Sequence, residues 1–295
     1  MRKVESTNKG IMESTLEQLF PDTLTSTNCV FVDKEREVWV ATEMCAQYLE
    51  STIDALVVQD NGKSTGIVGG YDILDHLRKN PTRDSQYQHT IQEIMFKDVP
   101  QVSKQTKFKD LMDTWKNSRR AFAVIPNESG SYSPISARKI LEIGKKYKTD
   151  LSISSIPKKK IITFQGDESL REILELMFNN KTRKLLLVNS NQFISDRTIL
   201  EGLSRITKFQ KDIDDLLDVP INKFTFDHIK VITEDLPFDK LCTVMDGMEH
   251  PYVYYKDIVV SPWDICLILS SEDMHKPEAK LEMTKTCPHC GKNID

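Results

Sequence analysis

No apolar run in this chain approaches the ~20 residues needed to cross a bilayer, and the polar start Met1-Arg2-Lys3-Val4-Glu5-Ser6 is no signal peptide. The expectation is a cytoplasmic protein. Cysteine is sparse, with six residues in 295. Cys29, Cys45, Cys242 and Cys266 stand singly in apolar or amphipathic stretches, the setting of small buried hydrophobes and not of a secreted disulfide framework. Basic charge is not in excess either. A net charge of -4 and a pI near 5.9 argue against a surface built for nucleic acid, although local basic clusters could bind phosphate. Also missing are a nucleophile paired with a base, a P-loop, and paired carboxylates in a plausible arrangement, so an enzyme is the weakest reading.

What is present is repetition. Four times a β-rich run passes through a small-residue turn into a helix: at Gly66-Ile67-Val68-Gly69-Gly70-Tyr71-Asp72, Pro134-Ile135-Ser136-Ala137-Arg138-Lys139, Phe193-Ile194-Ser195-Asp196-Arg197-Thr198 and Val259-Val260-Ser261-Pro262-Trp263-Asp264. Matched positions recur roughly every 60–67 residues, the mark of an internally repeated architecture. Four copies nearly exhaust the chain and leave no room for a separate catalytic domain. Hydrophobic content of 39% and charged content of 28% suit a globular protein with real cores.

The third copy is the cleanest. Residues 160–164 read as a strand, 170–177 as a helix with apolar residues at helical spacing, and 184–188 as a strand buried on both faces. Asn189-Ser190-Asn191 then turns into residues 192–195, and a helix starts at Asp196. The unit is β-α-β-β-α. In the second copy residues 99–102, 108–115 and 121–125 fill the first three slots; in the fourth, residues 229–233, 238–245 and 252–255 do so. In the first copy the same slots go to a strand at 38–41, a helix at 45–49 and a strand at 55–59, after a leading helix near 12–20. One such unit buries too little apolar surface to stand alone, so copies one with two and three with four are the natural pairs. The polar stretch 145–150 is the expected joint.

This pattern resembles the cystathionine-β-synthase (CBS) domain, found in tandem as Bateman modules, over roughly residues 12–272. The resemblance implies an α+β fold of four repeats paired into two modules that form a disc-like core. It divides the chain into residues 1–85, 86–148, 149–207 and 208–273, followed by a charged linker and tail at 274–295. The four-repeat layout resembles the nucleotide-sensing subunits of AMP-activated kinases. It implies an adenine nucleotide (AMP, ADP or ATP) or S-adenosylmethionine as ligand, and a regulatory role toward an unidentified partner protein without catalysis.

In that family a hydroxyl at the turn and an acid three residues later face the ligand, the carboxylate accepting from both ribose hydroxyls. Ser261 and Asp264 keep both groups; Asp72 survives with Gly69 at the hydroxyl position. Ser136 is followed by Lys139 and Ser195 by Thr198, so those turns look degenerate. Carried over by position, Asp264 would face Ile161, Ile162 and Thr163, with Arg183 and Lys184 near the phosphates. Asp72 would face Val99 and Pro100, with Arg119 and Arg120 as phosphate ligands. Ser136 would meet Ile53 and Asp54, poor surroundings for phosphate. A plainer reading competes: Ser at an N-cap, Pro at the first helical position and an acid in the first turn are what any helix start favours.

The tail carries Cys287-Pro288-His289-Cys290-Gly291, the form of a zinc knuckle, in which Cys287 and Cys290 would straddle one metal. Only five residues follow Cys290 and no second C-x-x-C exists. The remaining ligands would come from His289, His275 or the same knuckle in a homodimer. The sequence therefore favours an adenine-nucleotide sensor. The alternatives are a ligand-free scaffold that dimerises through the knuckle and, less favoured by the acidic pI, a nucleic-acid adaptor. No membrane association is expected.

Overall fold

The computed structural model describes residues 10–47, 54–209, 213–271 and 280–281. In copy one, α1 (Leu16–Leu19) leads to β1 (Phe31–Asp33), α2 (Val38–Gln47), β2 (Leu56–Asp60), β3 (Lys63–Val68) and α3 (Gly70–Lys79). β1 lies parallel to β2, and β2 turns back on β3 through Asn61 and Gly62. Both turn residues have positive φ, 49° and 77°, the conformation a two-residue hairpin of matching twist requires. α4 (Arg83–Gln88) and α5 (Ile91–Ile94) connect to copy two.

The strand expected at 38–41 and the helix expected at 45–49 are corrected here. The strand is β1, seven residues earlier, and one continuous helix covers Val38–Gln47. Val38, Ala41 and Thr42 are buried, and Met44 and Cys45 pack on the same core. That is a helical stripe, and its burial overrides the β-leaning of Val38 and Val40. The leading helix is also shorter than expected, a 3-10 turn at Ile11–Glu13 followed by α1.

Copy two holds α6 (Phe108–Ser118), β4 (Phe122–Pro126), β5 (Tyr132–Ser136) and α7 (Leu141–Lys146), and its first strand shrinks to a parallel bridge between Gln101 and Val124. α7 takes in the start of the expected joint, and β6 (Tyr147–Lys148) follows it. Copy three has β7 (Thr163–Phe164), α8 (Leu170–Asn179), β8 (Lys184–Leu187), β9 (Gln192–Ser195) and α9 (Asp196–Phe209). Ser169 caps α8 by a reciprocal pair of bonds with Glu172. Copy four begins with β10 (Asp227–His228), which joins copy three's sheet beside β9. It continues through β11 (Lys230–Val231), α10 (Phe238–Asp246), β12 (Val253–Tyr255), β13 (Ile258–Val260) and α11 (Pro262–Leu269). β14 (Lys280–Leu281) pairs antiparallel with β6.

The cores show how the copies assemble. Val57 and Ile67 of copy one meet Phe122 and Val124 of copy two, so these two sheets share a core. Leu186 and Phe193 meet Ile229, Tyr252 and Val259, which joins the sheets of copies three and four. This is the pairing expected of two Bateman modules. The helices pair across the modules instead. α2 packs on α9, placing copies one and three in one large core, and α7 packs on α10, placing two and four in another. Gly144 permits the second crossing: a Cβ there would lie 2.4 Å from Cys242 Sγ.

Candidate functional site

Each module folds its turns against its partner copy, so the four turns can be compared directly. At the first, β3 delivers Gly69, and Asp72 opens α3 with its side chain only 6% exposed. The Gly69 N–H donates to Asp72 Oδ2 at 3.0 Å, and Arg120 from copy two donates to the same oxygen at 2.8 Å and to Oδ1 at 2.5 Å. The Arg120 guanidinium lies 4.6 Å from the centre of the Phe96 ring, a favourable stacking of cation on aromatic face. Burial pushes the Asp72 carboxyl up from its ordinary value, while Arg120 and the Gly69 N–H pull it down. Arg120 thus meets Asp72, but as its partner. Arg119 is exposed at the left-handed end of α6. Val99 packs between the sheets of copies one and two, and Pro100 is buried with its carbonyl accepting from the Val124 N–H.

At the fourth turn Asp264 is 12% exposed and uses one oxygen for everything. Oδ2 accepts from the Ser261 N–H at 2.8 Å, the Ser261 hydroxyl at 2.7 Å and Lys159 Nζ at 2.7 Å. Among the described residues Oδ1 accepts no hydrogen bond. Lys159 is 42% exposed, so its pair with Asp264 is wet and weakly held. The basic pair expected here is occupied elsewhere. Arg183 donates to Asp196 at 2.6 Å, and Lys184 donates to the Pro251 carbonyl at 3.3 Å with its ammonium 4.4 Å from the Tyr252 ring centre. That enclosure brings Lys184 down to about 7. Ile161 packs in the core of copies three and four, Ile162 in that of copies one and three, and Thr163 is exposed at the start of β7. The residues just before the expected contact strand therefore supply the cation.

The third turn satisfies itself. The Ser195 N–H donates to Thr198 Oγ1 at 2.8 Å, and the Thr198 N–H returns to Ser195 Oγ at 3.3 Å. The second turn, ranked low from sequence, borders an open cleft of about 240 Å³ beside Ser136. Asp54 lines it as expected; Ile53 lies outside the described residues. Lys139, which stands where the acid would be, is held by Glu142 one turn further on at 2.8 Å.

Cys287 and Cys290 also lie outside the described residues. Among the described residues no cluster of three or more His, Cys, Asp or Glu side chains could hold a metal, and no helix is long and apolar enough to cross a membrane. Burial pushes the Cys29 and Cys45 thiols up to about 12, which leaves them unreactive.

A family profile described as "CBS domain" matches residues 153–204, which hold β7, α8, β8, β9 and the first part of α9. A CBS domain is therefore present in this chain. The whole fold is similar to the crystal structure of a Methanocaldococcus jannaschii protein described as a proposed archaeal homolog of g-AMPK. That likeness has a TM-score of 0.69 at 15% identity and covers 87% of this chain and 100% of that one. An uncharacterised conserved protein from Pyrococcus horikoshii matches with a TM-score of 0.50 at 13% identity, covering 84% of this chain and 98% of that one. At these identities the likeness is one of fold, and the architecture is that of CBS-domain proteins. No curated protein matches the chain in sequence.

Proposed function

We propose that this chain is a non-catalytic regulatory protein that binds an adenine nucleotide at the Asp264 turn and passes the occupancy to a partner protein. The observation that carries the reading is the one-sided use of Asp264: Oδ2 caps α11 while Oδ1 has no donor among the described residues, and the one cation on it is a half-exposed lysine. A ribose diol offers two O–H donors to such a carboxylate, and Lys159 can turn from the acid to a phosphate without a buried charge being stranded. The likeness in fold to a proposed g-AMPK homolog supports the same class of role. Binding changes a partner only through unequal affinity for two arrangements of the modules or of the partner interface. Melting followed with ATP, ADP, AMP and S-adenosylmethionine tests this. At least one should raise Tm by mass action, and Asp264→Ala should remove most of the rise. Flat melting with all four ends the proposal.

A second reading is favoured by the first turn, where Arg120 and Gly69 already fill both oxygens of Asp72. On this reading the acids are helix caps in a ligand-free scaffold, and Cys287 and Cys290 share zinc with a second copy. Zinc-dependent dimerisation together with nucleotide-insensitive melting would select it.

A further inference from the structure

The connection between copies one and two is held down by polar side chains. α4 buries Ser85 and Gln86 and no apolar residue. Ser85 turns its hydroxyl back on its own chain, 2.6 Å from the Asn80 carbonyl. Gln86 Nε2 is buried beside Thr42, Leu77 and Thr207 without a hydrogen-bond partner among the described residues. Buried polar groups left unpaired hold an element weakly, so little free energy is needed to lift it.

This segment also joins the modules. The Pro81 carbonyl accepts from the Leu216 N–H at 2.9 Å, and Thr82 forms an antiparallel bridge with Asp215. Leu216 opens a 3-10 turn, Leu216–Asp218, in the connection between copies three and four, and it is buried in the core of copies one and three. The two connections therefore clasp one another where α4 begins.

His76 of α3 sits beside the clasp, 7% exposed, its ring edge-on to that of His89 with centroids 4.9 Å apart. Its Nε2 is buried and unpartnered among the described residues, while Nδ1 lies 3.4 Å from Asn80 Nδ2, an amide donor. The Ser85 carbonyl favours a proton on this ring, but that oxygen already accepts from the His89 N–H at 3.1 Å. A second proton would turn Nδ1 into a donor facing a donor. The charged groups acting on His76 are Asp75 of its own helix, and His89 and Glu93 beyond α4. Asp75 is spent on Arg78 at 3.0 Å and Lys79 at 2.6 Å, and Glu93 on His89 at 2.7 Å and Thr90 at 2.8 Å. Other elements packed on α3 turn their charges elsewhere: Glu43 of α2 accepts from Ser204, and Arg171 of α8 donates to Asp215 and Asp218. Around α4 itself, Arg83 lies over the Tyr87 ring and Asp84 is exposed.

We propose that acid lifts α4 from α3 and opens the clasp between the two connections, with His76 as the group that takes up the proton. Burial and the His89 ring hold the His76 imidazole below its ordinary value. A closed-state value below the open one means the clasp is fully held above about pH 6.5 and loosens as pH falls through that range. One proton limits the effect: from about pH 7.5 to about pH 5.5 the open population rises at most about tenfold.

Amide exchange of the full chain, followed by mass spectrometry without nucleotide and corrected for the intrinsic pH dependence, tests this. Opening at residues 80–90 and at Leu216 should rise about threefold to tenfold over that range, while β8 stays unchanged. His76→Leu should abolish the rise. No rise in the parent, the same rise in His76→Leu, or opening at 80–90 that leaves Leu216 protected overturns the proposal. If His76→Leu does not fold, proton resonance titration of the parent decides. The His76 ring should titrate below about pH 6.5 with the Leu216 amide shifting in step. A higher midpoint, or a Leu216 amide that does not follow it, overturns the proposal.

Discussion

Removing Arg120 should cost this protein more stability than any exposed charge. Asp72 is 6% exposed, Arg120 is 18% exposed, and the two share a fork of contacts at 2.8 and 2.5 Å. Arg120→Met leaves a buried carboxylate with the Gly69 N–H as its remaining donor. Stranding a buried charge in this way costs roughly 3–5 kcal/mol, whereas removing both partners of such a pair is often nearly neutral. Asp72→Asn strands the arginine and should cost about 2–4 kcal/mol, the lower figure reflecting the stacking of Arg120 on Phe96 and its partial exposure. The double variant should therefore be much less destabilised than the sum of the singles, with a coupling of ~2 kcal/mol or more. Urea denaturation of the four proteins measures this. Single losses below about 1 kcal/mol that simply add would refute the idea that the pair closes the first turn.

Three further outcomes follow from the packing and charge. Gly144→Ala would place a methyl 2.4 Å from Cys242 Sγ at the α7–α10 crossing, and the overpacking should lower stability by ~1–3 kcal/mol in the same assay. Ser169→Ala removes the cap of α8 and should cost about 1 kcal/mol by denaturant titration. Asp227 has a buried Oδ2 without a hydrogen bond, 3.7 Å from His250 Nε2, an imidazole that its own burial holds toward the neutral form, and burial raises the Asp227 carboxyl to about 6. A folded value above the unfolded one means its contribution is full below about pH 4 and is lost as pH rises through about 6. Asp227→Asn should therefore flatten Tm between pH 4 and 7 and be more stable than the parent at pH 7, by on the order of 2–3 kcal/mol.

The repeat made most of the fold legible. The run 184–188, read as a strand buried on both faces, is β8 one residue shorter and hydrogen-bonded between β7 and β9, and the helix at 170–177 is α8 with two further residues. Local β-leaning misled at Val38-Trp39-Val40, where the competing signal was a helical stripe running on to Cys45. The acids were visible, and at the first turn so was Arg120, but not how they would meet. Asp72 and Arg120 are 48 residues apart, and sequence cannot show whether such a pair faces a ligand or each other. At Asp264 the cation proved to be Lys159, because Lys184 is drawn onto the Tyr252 ring and the Pro251 carbonyl. The cleft at Ser136 was legible from Asp54 but not in its other walls, for a related reason. They come from residues near 23–30, 122, 134–142 and 246, which the docking of copies one, two and four brings together.

Titration of AMP and ATP into the purified full chain, beside Asp264→Ala, tests the central claim most directly. The account predicts saturable heat with at least one of the two nucleotides, most of it lost with Asp264→Ala. Traces indistinguishable from buffer dilution with both nucleotides would contradict it.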